Sequence, residues 1–210
     1  GCSTPSATNV WVSQNTSVPW LTQTFVADGV EQPAGTFFVP AGSSVRPALE
    51  RLARELGVTF VGVRNRPAGS ALELARPRIG LWDRYGGSMP SGWVRFILEQ
   101  FGFEYRLVFP PELDAGGLSE KFDVLIFPDG AVPAARARGG AREGGMAYRE
   151  QGDAPSYPPE YQNRVGSVTA EATVPKLREF LDEGGVIITL EGSTSLGQHL
   201  GLGIHDFLVD

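Results

Sequence analysis

The sequence predicts a three-layer α/β fold with a mostly parallel sheet of about five strands and helices on both faces. An apolar run at Ile79–Trp82 is followed by a glycine-rich turn, a segment of helical period and two further apolar runs, at 105–109 and Val124–Phe127. This order is typical of βαβ units in a parallel sheet. The carboxyl ends of such strands share one edge of the sheet, where α/β proteins hold ligands and catalytic groups.

The first part of the chain predicts an arm and a hairpin. Residues 1–24 are interpreted as an extended N-terminal arm, because they are rich in Ser, Thr and Asn and lack sustained periodicity. Two β-prone pieces between 25 and 39 flank Gly29, a pattern that favours a hairpin. The remainder, 25–210, is predicted to be one α/β domain that a long loop, 128–166, interrupts.

A helix, a strand and a connector are predicted next. Serines at 43–44 are suitable N-caps for a helix that runs to about Leu56, and Gly57 is a suitable C-terminal cap. Residues 58–63 are predicted to form a strand. Residues 64–77 are interpreted as a connector, because they hold no clear period.

The helix after the glycine-rich turn is predicted over about 91–101. Its large side chains, Trp93, Phe96 and Ile97, recur at helical spacing together with Leu98 or Phe101. Apolar residues at that spacing usually form the side of a helix that faces the core. They are therefore predicted to be buried.

The last part of the chain predicts one helix, one strand and a short helical turn. Thr173 is a candidate N-cap for a helix to about Leu181, with an apolar face that includes Phe180. The run 186–190 is predicted to be a central strand of the sheet. The glycine-rich end, 191–210, predicts one more helical turn and an edge strand.

Composition excludes several classes of protein. The chain has 41% hydrophobic and 20% charged residues, as in ordinary globular proteins, and no run reaches the ~18–20 apolar residues that cross a bilayer. A net charge of −6 with scattered Arg and Lys disfavours nucleic-acid binding. Cys2 is the only cysteine, so no internal disulfide is possible. Its Gly-Cys context resembles the processing site of a bacterial lipoprotein, and the alternative is an incidental thiol at a fragment boundary.

The turn after 186–190 holds the candidate for nucleophilic catalysis. A strand-to-turn-to-helix junction with small residues is where an α/β fold places a nucleophile, here Ser193 or Ser195. Such a serine needs a base that a third group orients. The histidines are His199 and His205, and His199 lies too close along the chain to reach an elbow serine. The favoured interpretation is that one of the serines caps the following turn.

A second candidate site lies at the predicted ends of the strands. The carboxylates of Asp83, Asp129 and Glu191 could meet there and hold a divalent ion weakly, although loop capping is the favoured role. No metal site and no cofactor are predicted. The loop that holds Tyr85 precedes a helix N-terminus, which could take a carboxylate or phosphate; the alternative is a tight turn that needs glycine. The predicted ligand-binding side chains are Asp83, Tyr85, Asp129, Glu191 and Ser193.

Long stretches of the chain resemble a region of a known family. They read AGTFFVPAGSSVRPALERLARELG, PRIGLWDRYGGSMPSGWVRFILEQFGFEYRLVFPPELDAGGLSEKFDVLIFPDGAVP and TVPKLREFLDEGGVIITLEGSTSLGQHLGL. The region is the C-terminal part of large secreted bacterial zinc carboxypeptidase-like proteins, which is similar to a flavodoxin-like, class I glutamine amidotransferase-like domain. The similarity covers about Phe25 to Leu202, and GLWDRYGGSMPSGW is its most specific piece.

The resemblance carries no catalytic residue over to this chain. The zinc ligands of that family belong to the peptidase domain, and nothing here matches its His-x-x-Glu motif and distal His. An amidotransferase needs an elbow cysteine with a His and a Glu. Here the elbow reads Gly192-Ser193-Thr194, and the sequence has no His-x-Glu pair.

The sequence therefore favours a non-catalytic, exported interaction or structural module, periplasmic or extracellular, as an accessory subunit of a larger envelope or membrane-associated complex. The arm 1–24 and the loop 128–166 are expected to dock protein partners. Membrane contact is expected only through lipidation of Cys2 or through a membrane-protein partner. The alternatives are an accessory domain cleaved from a zinc carboxypeptidase, and a small-molecule binder or weak hydrolase at the strand-end crevice.

Overall fold

The structure, a computed structural model, describes residues 18–27, 29–133 and 154–204. The chain divides into two compact units. The first comprises Gly1–Arg76 with Phe101–Phe103, and the second comprises Pro77–Gln100 with Glu104–Asp210. No helix in the described ranges combines the length and the apolar character that a membrane crossing needs.

The first unit contains two small antiparallel pairs and one helix. Strand β1 (Val18–Leu21) pairs with β4 (Ala71–Leu74), and β2 (Phe25–Ala27) forms a hairpin with β3 (Val30–Gln32). Helix α1 (Val45–Leu56) packs Leu52 against Val18, and Gly57 ends it in the left-handed conformation with φ 65°. Glycine has no Cβ and adopts this conformation without strain.

Two predictions for this unit need correction. The second strand of the hairpin was expected at the end of 25–39, but it is Val30–Gln32, directly after the turn at Gly29. Residues 58–63 were predicted to form a strand and have no regular structure, and Phe60 is 41% exposed. Instead, the predicted connector supplies Ala71–Leu74, which pairs with a strand inside the predicted arm. A β-prone run forms a strand only where a partner strand is available, and here β1 pairs with Ala71–Leu74, which has a weaker β-propensity than 58–63.

The second unit is a three-layer α/β structure, as predicted. Its parallel sheet has the order β6-β5-β7-β8. The strands are β5 (Ile79–Trp82), β6 (Tyr105–Val108), β7 (Val124–Phe127) and β8 (Val186–Thr189). The helices are α2 (Met89–Gln100), α3 (Pro110–Asp114), α4 (Thr173–Asp182) and α5 (Leu196–His199), with 3-10 turns at Ala154–Ser156, Pro159–Arg164 and Glu191–Ser195.

The two faces of this sheet are covered differently. Leu125 and Phe127 of β7 pack with Leu177 and Phe180 of α4 in the main core. Helix α2 connects β5 to β6, and this crossover runs across the sheet in the opposite direction to the crossovers from β6 to β7 and from β7 to β8. Because such crossovers are right-handed, α2 lies on the face of the sheet opposite to α4. The side chains of this second face form rows across β5, β7 and β8, one of which is Leu81, Ile126 and Ile188.

Strand β8 was predicted to be central, but it is an edge of the four-stranded sheet. Val186 is 51% exposed and Ile188 is 44% exposed. Ile187, between them, points to the opposite face and packs against the main core. A continuous apolar run is typical of a strand that is buried on both faces, and β8 has this composition although one of its faces is open.

Helix α2 buries a different stripe from the predicted one. Ser91 is fully buried and Leu98 is 9% exposed. Trp93, Phe96 and Ile97 were predicted to be core residues, and they are 63%, 52% and 54% exposed. The helix has two stripes of helical period, and the stripe with the small Ser91 faces the sheet, because a small side chain lets a helix approach a sheet closely.

Gly80 is expected to tolerate no side chain. A Cβ atom at this position would lie 2.7 Å from Leu125 and 2.8 Å from the ring of Phe122, both in the core. Gly80→Ala should therefore lower the free energy of unfolding by roughly 1–3 kcal/mol through overpacking. Gly92→Ala is the control, because nothing lies within 4 Å of its Cβ position and alanine favours an exposed helix by ~1 kcal/mol. Urea denaturation should give opposite signs for the two variants, and equal signs would contradict this packing.

An ion pair joins β5 to β7 at the amino-terminal edge of the sheet. The guanidinium of Arg78 donates to Asp123 Oδ1 at 2.6 Å and to Oδ2 at 3.1 Å, and the Arg78 backbone N–H donates to Oδ2 at 2.7 Å. The same guanidinium also donates to the carbonyls of Glu120 and Ser119. These hydrogen bonds hold the pKa of Asp123 below its ordinary value.

The lowered pKa of Asp123 predicts a pH-dependent contribution to stability. The contribution is fully present above the unfolded-state pKa of about 3.9 and is lost as pH falls through the folded-state pKa. The difference in unfolding free energy between the wild type and Asp123→Asn should be constant from pH 7 to about 5 and should shrink below about pH 4. Urea denaturation over this range measures it, and a difference that stays constant down to pH 2 would contradict the pairing.

Candidate functional site

The predicted ligand-binding residues all lie at the carboxyl edge of the parallel sheet. Asp83 and Tyr85 follow β5, Asp129 follows β7, and Glu191 and Ser193 follow β8. The loops after β7 and β8 are in direct contact with each other. The loop after β5 makes its own set of contacts.

Asp83 is 3% exposed and holds its own loop together. Its Oδ1 accepts hydrogen bonds from the backbone N–H groups of Arg84 and Ser88, both at 2.9 Å. The glycines at 86 and 87 have φ of 81° and 77°, as a tight glycine turn requires. The carboxylate therefore occupies the place at the amino end of α2 where the sequence suggested that a bound anion could sit.

Tyr85 belongs to an aromatic cluster that the end of the long loop completes. Its ring centroid is 4.9 Å from that of Tyr157 and 5.4 Å from that of Tyr161, both in the 154–164 segment. The Arg164 guanidinium lies over Tyr161 and over Phe109, which follows β6. The segment 154–164 thus covers the carboxyl ends of β5 and β6 with side chains of the chain itself.

Ser193 is fully buried, and its hydroxyl is saturated with hydrogen bonds. Oγ donates to the Pro128 carbonyl at 2.6 Å and accepts from the N–H groups of Ala131 and Val132, each at 3.2 Å. A hydroxyl has one donor and two acceptor positions, and all are used. Ser193 therefore fastens the loop after β7 to the loop after β8, a role that differs from the capping of its own turn.

Asp129 makes a second link between these loops. Its Oδ1 accepts from the N–H of Gly192 at 3.1 Å. A Cβ atom on Gly192 would lie 2.7 Å from that same oxygen, so the approach requires glycine. The carboxylate acts here as a loop cap, which is the role that the sequence favoured for it.

Ser195 and His199 both bind one carbonyl. The Ser195 hydroxyl donates to Pro133 O at 3.1 Å, and His199 Nε2 lies 2.9 Å from the same oxygen. Because a carbonyl only accepts, His199 Nε2 carries the proton. The pair therefore meets at a shared acceptor and does not form the hydroxyl-to-imidazole hydrogen bond of a serine nucleophile. Sequence inspection missed this anchor, since Pro133 is distant along the chain.

Glu191 has an unusual backbone conformation. Its φ is 50°, and it is the one non-glycine residue with a positive φ in the described ranges. It stands directly after Leu190 at the junction with the 3-10 turn, with an exposed side chain. The turn at 191–197 was predicted to be an elbow from its small residues. The residue in the left-handed conformation is Glu191, one position before Gly192.

The carboxylates do not assemble into a metal site within residues 18–27, 29–133 and 154–204. These ranges contain no group of three or more His, Cys, Asp or Glu residues placed to hold a metal ion. Asp83 and Asp129 are committed to backbone N–H groups of separate loops. Cys2 and His205 lie outside the described residues, as do most of the predicted arm and residues 134–153 of the predicted docking loop.

A different surface of the second unit exposes a set of large apolar side chains. On helix α2 they are Met89, Trp93, Phe96 and Ile97, which we call the α2 apolar stripe, and they are 52–63% exposed. Spacings of three and four residues place them on one side of the helix. None of them is charged. Contiguous exposed apolar surface of this kind usually marks an interaction site.

No protein-family model, no curated protein and no solved structure matches this chain. The resemblance to the amidotransferase-like region of carboxypeptidase-like proteins accordingly stays a prediction. Two surfaces of the second unit bear on function: the strand-end loops and the α2 apolar stripe.

Proposed function

We propose that this chain is a non-catalytic interaction module that joins a larger protein assembly through the α2 apolar stripe. The observation that carries the proposal is the exposure of Trp93, Phe96 and Ile97 on one side of a helix whose other side packs on the sheet. Aromatic residues and Met are enriched in protein interfaces, and tryptophan is among the residues that contribute most to binding.

The strand-end loops support the non-catalytic part of the proposal. The hydroxyl of Ser193 has no capacity left to attack a substrate, and His199 is held by the Pro133 carbonyl. Tyr85 packs against Tyr157 and Tyr161. These side chains stabilise loops, a use that competes with catalysis because a nucleophile needs an accessible oxygen and an oriented base.

The charge of the surroundings agrees with a protein partner. The stripe holds no charged side chain, and the chain as a whole carries a net charge of −6. A surface helix that binds anionic membranes usually combines an apolar side with many Lys or Arg residues. Helix α2 contributes one basic residue, Arg95, and its guanidinium is held by the Tyr105 hydroxyl.

The experiment compares affinity-tagged chains expressed in the source cells. The wild type, the double variant Trp93→Ala/Phe96→Ala and the control Val26→Ala/Val30→Ala are purified under native conditions, and co-purifying proteins are quantified by mass spectrometry. Val26 and Val30 are 69% and 61% exposed on the hairpin of the first unit, so the control also removes exposed apolar surface. We expect a stoichiometric partner, either another protein or the untagged native chain, to co-purify with the wild type and with the control but not with the double variant. An identical set of proteins with all three chains would refute the proposal.

A further inference from the structure

The face of the sheet that carries α2 has an open strip beside the helix. Ile187 of β8 packs against the main core, so Val186 and Ile188 point to the side of α2. Ile188 stands in one row with Ile126 of β7 and Leu81 of β5. Along this row Leu81 is fully buried, Ile126 is 7% exposed and Ile188 is 44% exposed. The apolar face of the sheet is thus covered at β5 and open at β8.

The open strip lies one helix spacing away from the strand that α2 covers. Strand β8 is two positions from β5 in the sheet, which corresponds to roughly 10 Å at ~4.8 Å per strand. An α-helix with its side chains is ~10–12 Å across. Helices that pack side by side are ~8–10 Å apart, so a second helix next to α2 would be centred over β8, where Val186 and Ile188 are exposed.

The α2 apolar stripe has the matching shape. Trp93 and Phe96 lie on the side of α2 that is turned away from its own sheet, since Ser91 and Leu98 form the side that is buried. One copy of the chain thus presents both an apolar helix ridge and an open apolar strip. Two-fold symmetry places each ridge on the other copy's strip, as an isologous interface requires.

We propose that the occupant of this strip is the α2 helix of a second copy of the chain. The two α2 helices lie side by side and parallel, with the two-fold axis running between them, as a shared middle layer between two sheets. Each stripe packs on Val186 and Ile188 of the other copy. This inference rests on the proposed interaction function and names its partner.

The exposed area is sufficient for such a dimer. The α2 apolar stripe, Val186 and Ile188 are 44–63% exposed. At ~150–250 Å² for a large apolar side chain, they present on the order of 600 Å² per copy. A standard interface buries about 800 Å² per partner, of which ~65% is apolar in homodimers, or about 520 Å².

The first test is sedimentation equilibrium of the purified full chain. We expect a dimer with a dissociation constant in the micromolar range for the wild type and for the control Val26→Ala/Val30→Ala. Trp93→Ala/Phe96→Ala should weaken the dimer by about 30-fold or more, because central aromatic residues dominate binding. A chain that is monomeric at all concentrations up to about 0.5 mM, or a dimer that the double variant leaves unchanged, would overturn the inference.

The second test fixes the arrangement by cross-linking. In a Cys2→Ser background, chains with Phe96→Cys are mixed with chains with Ile188→Cys under mild oxidation. The expected product is a mixed disulfide between the two variants, whereas Phe96→Cys with Val26→Cys should give none. Equal yields with both partners would overturn the arrangement.

Two further results separate this inference from the proposed function. A monomer that loses binding to a different protein when Trp93 and Phe96 are replaced would overturn the dimer and leave the interaction function intact. A monomer that binds phosphatidylcholine vesicles through the same residues would overturn both the dimer and the protein-docking function, and would assign the stripe to a membrane surface.

Discussion

Replacement of Ser193 by alanine is expected to lower the free energy of unfolding by about 3 kcal/mol. The variant leaves the N–H groups of Ala131 and Val132 without their acceptor and the Pro128 carbonyl without its donor, all in a buried environment. A buried polar group that loses its partner costs about 1–3 kcal/mol, and small rearrangements of the loop recover part of the sum. The effect is large because one hydroxyl serves three backbone groups.

Ser195→Ala is the matched control for this prediction. Ser195 is half-buried and makes one hydrogen bond, to the Pro133 carbonyl, which His199 continues to bind. Its loss should lower stability by about 0.5–1.5 kcal/mol. Urea denaturation with fluorescence detection measures both variants. Equal stability of Ser193→Ala and the wild type would show that the hydroxyl is not needed for the loops, and the nucleophile interpretation would regain its basis.

Leu98→Ala is expected to lower the free energy of unfolding by about 2–4 kcal/mol, and Trp93→Ala to change it by less than about 0.5 kcal/mol. Leu98 is 9% exposed on the buried side of α2, so its truncation leaves a cavity. Trp93 is 63% exposed, so water already reaches most of its surface. The side chain with the larger apolar area thus contributes less to folding, which is unusual for tryptophan.

Thermal and urea denaturation of the monomeric chain at low concentration test this contrast. Dilution matters, because a dimer that uses Trp93 would stabilise the wild type through mass action. A loss of more than about 2 kcal/mol for Trp93→Ala in the monomer would mean that the stripe belongs to the core. The assignment of α2 as a docking element would then be wrong.

The order of elements in the second unit could be predicted from the sequence. Uninterrupted apolar runs identified Ile79–Trp82 and Val124–Phe127 with their observed bounds, and Thr173 marked the start of α4. These are local signals of period and capping. Thr173 itself acts differently from the prediction, since its hydroxyl accepts from the N–H of Thr169 and donates to Asp114 in α3.

The orientation of α2 could not be predicted, because its sequence carries two apolar stripes. Periodicity identifies a helix but does not decide which of two stripes faces the sheet. Trp93 and Phe96 were predicted to be buried from their helical spacing, whereas the side of the helix that packs on the sheet is the one with Ser91 and Leu98. The edge position of β8 could not be predicted either, because the order of strands depends on tertiary pairing and not on the composition of the run.

The roles of the strand-end residues could not be predicted for a different reason. The sequence placed Asp83, Asp129 and Ser193 correctly at strand ends, but it did not show which backbone groups they bind. Ser193 and Pro128 are 65 residues apart, and Asp129 and Gly192 are 63 apart. Such contacts between distant loops have no local signature. Whether one of these side chains is available for chemistry depends on how much of its hydrogen-bonding capacity such contacts use.

The central claim, that the α2 apolar stripe is a docking surface, is tested most directly by hydroxyl-radical footprinting. Labelling of Trp93 and Phe96 is compared between the dilute, monomeric chain and the native complex isolated from the source cells. We predict strong labelling of both residues in the monomer and at least about five-fold protection in the complex, as expected when central interface residues are fully desolvated. Equal labelling in the two states, with protection elsewhere on the chain, would contradict it.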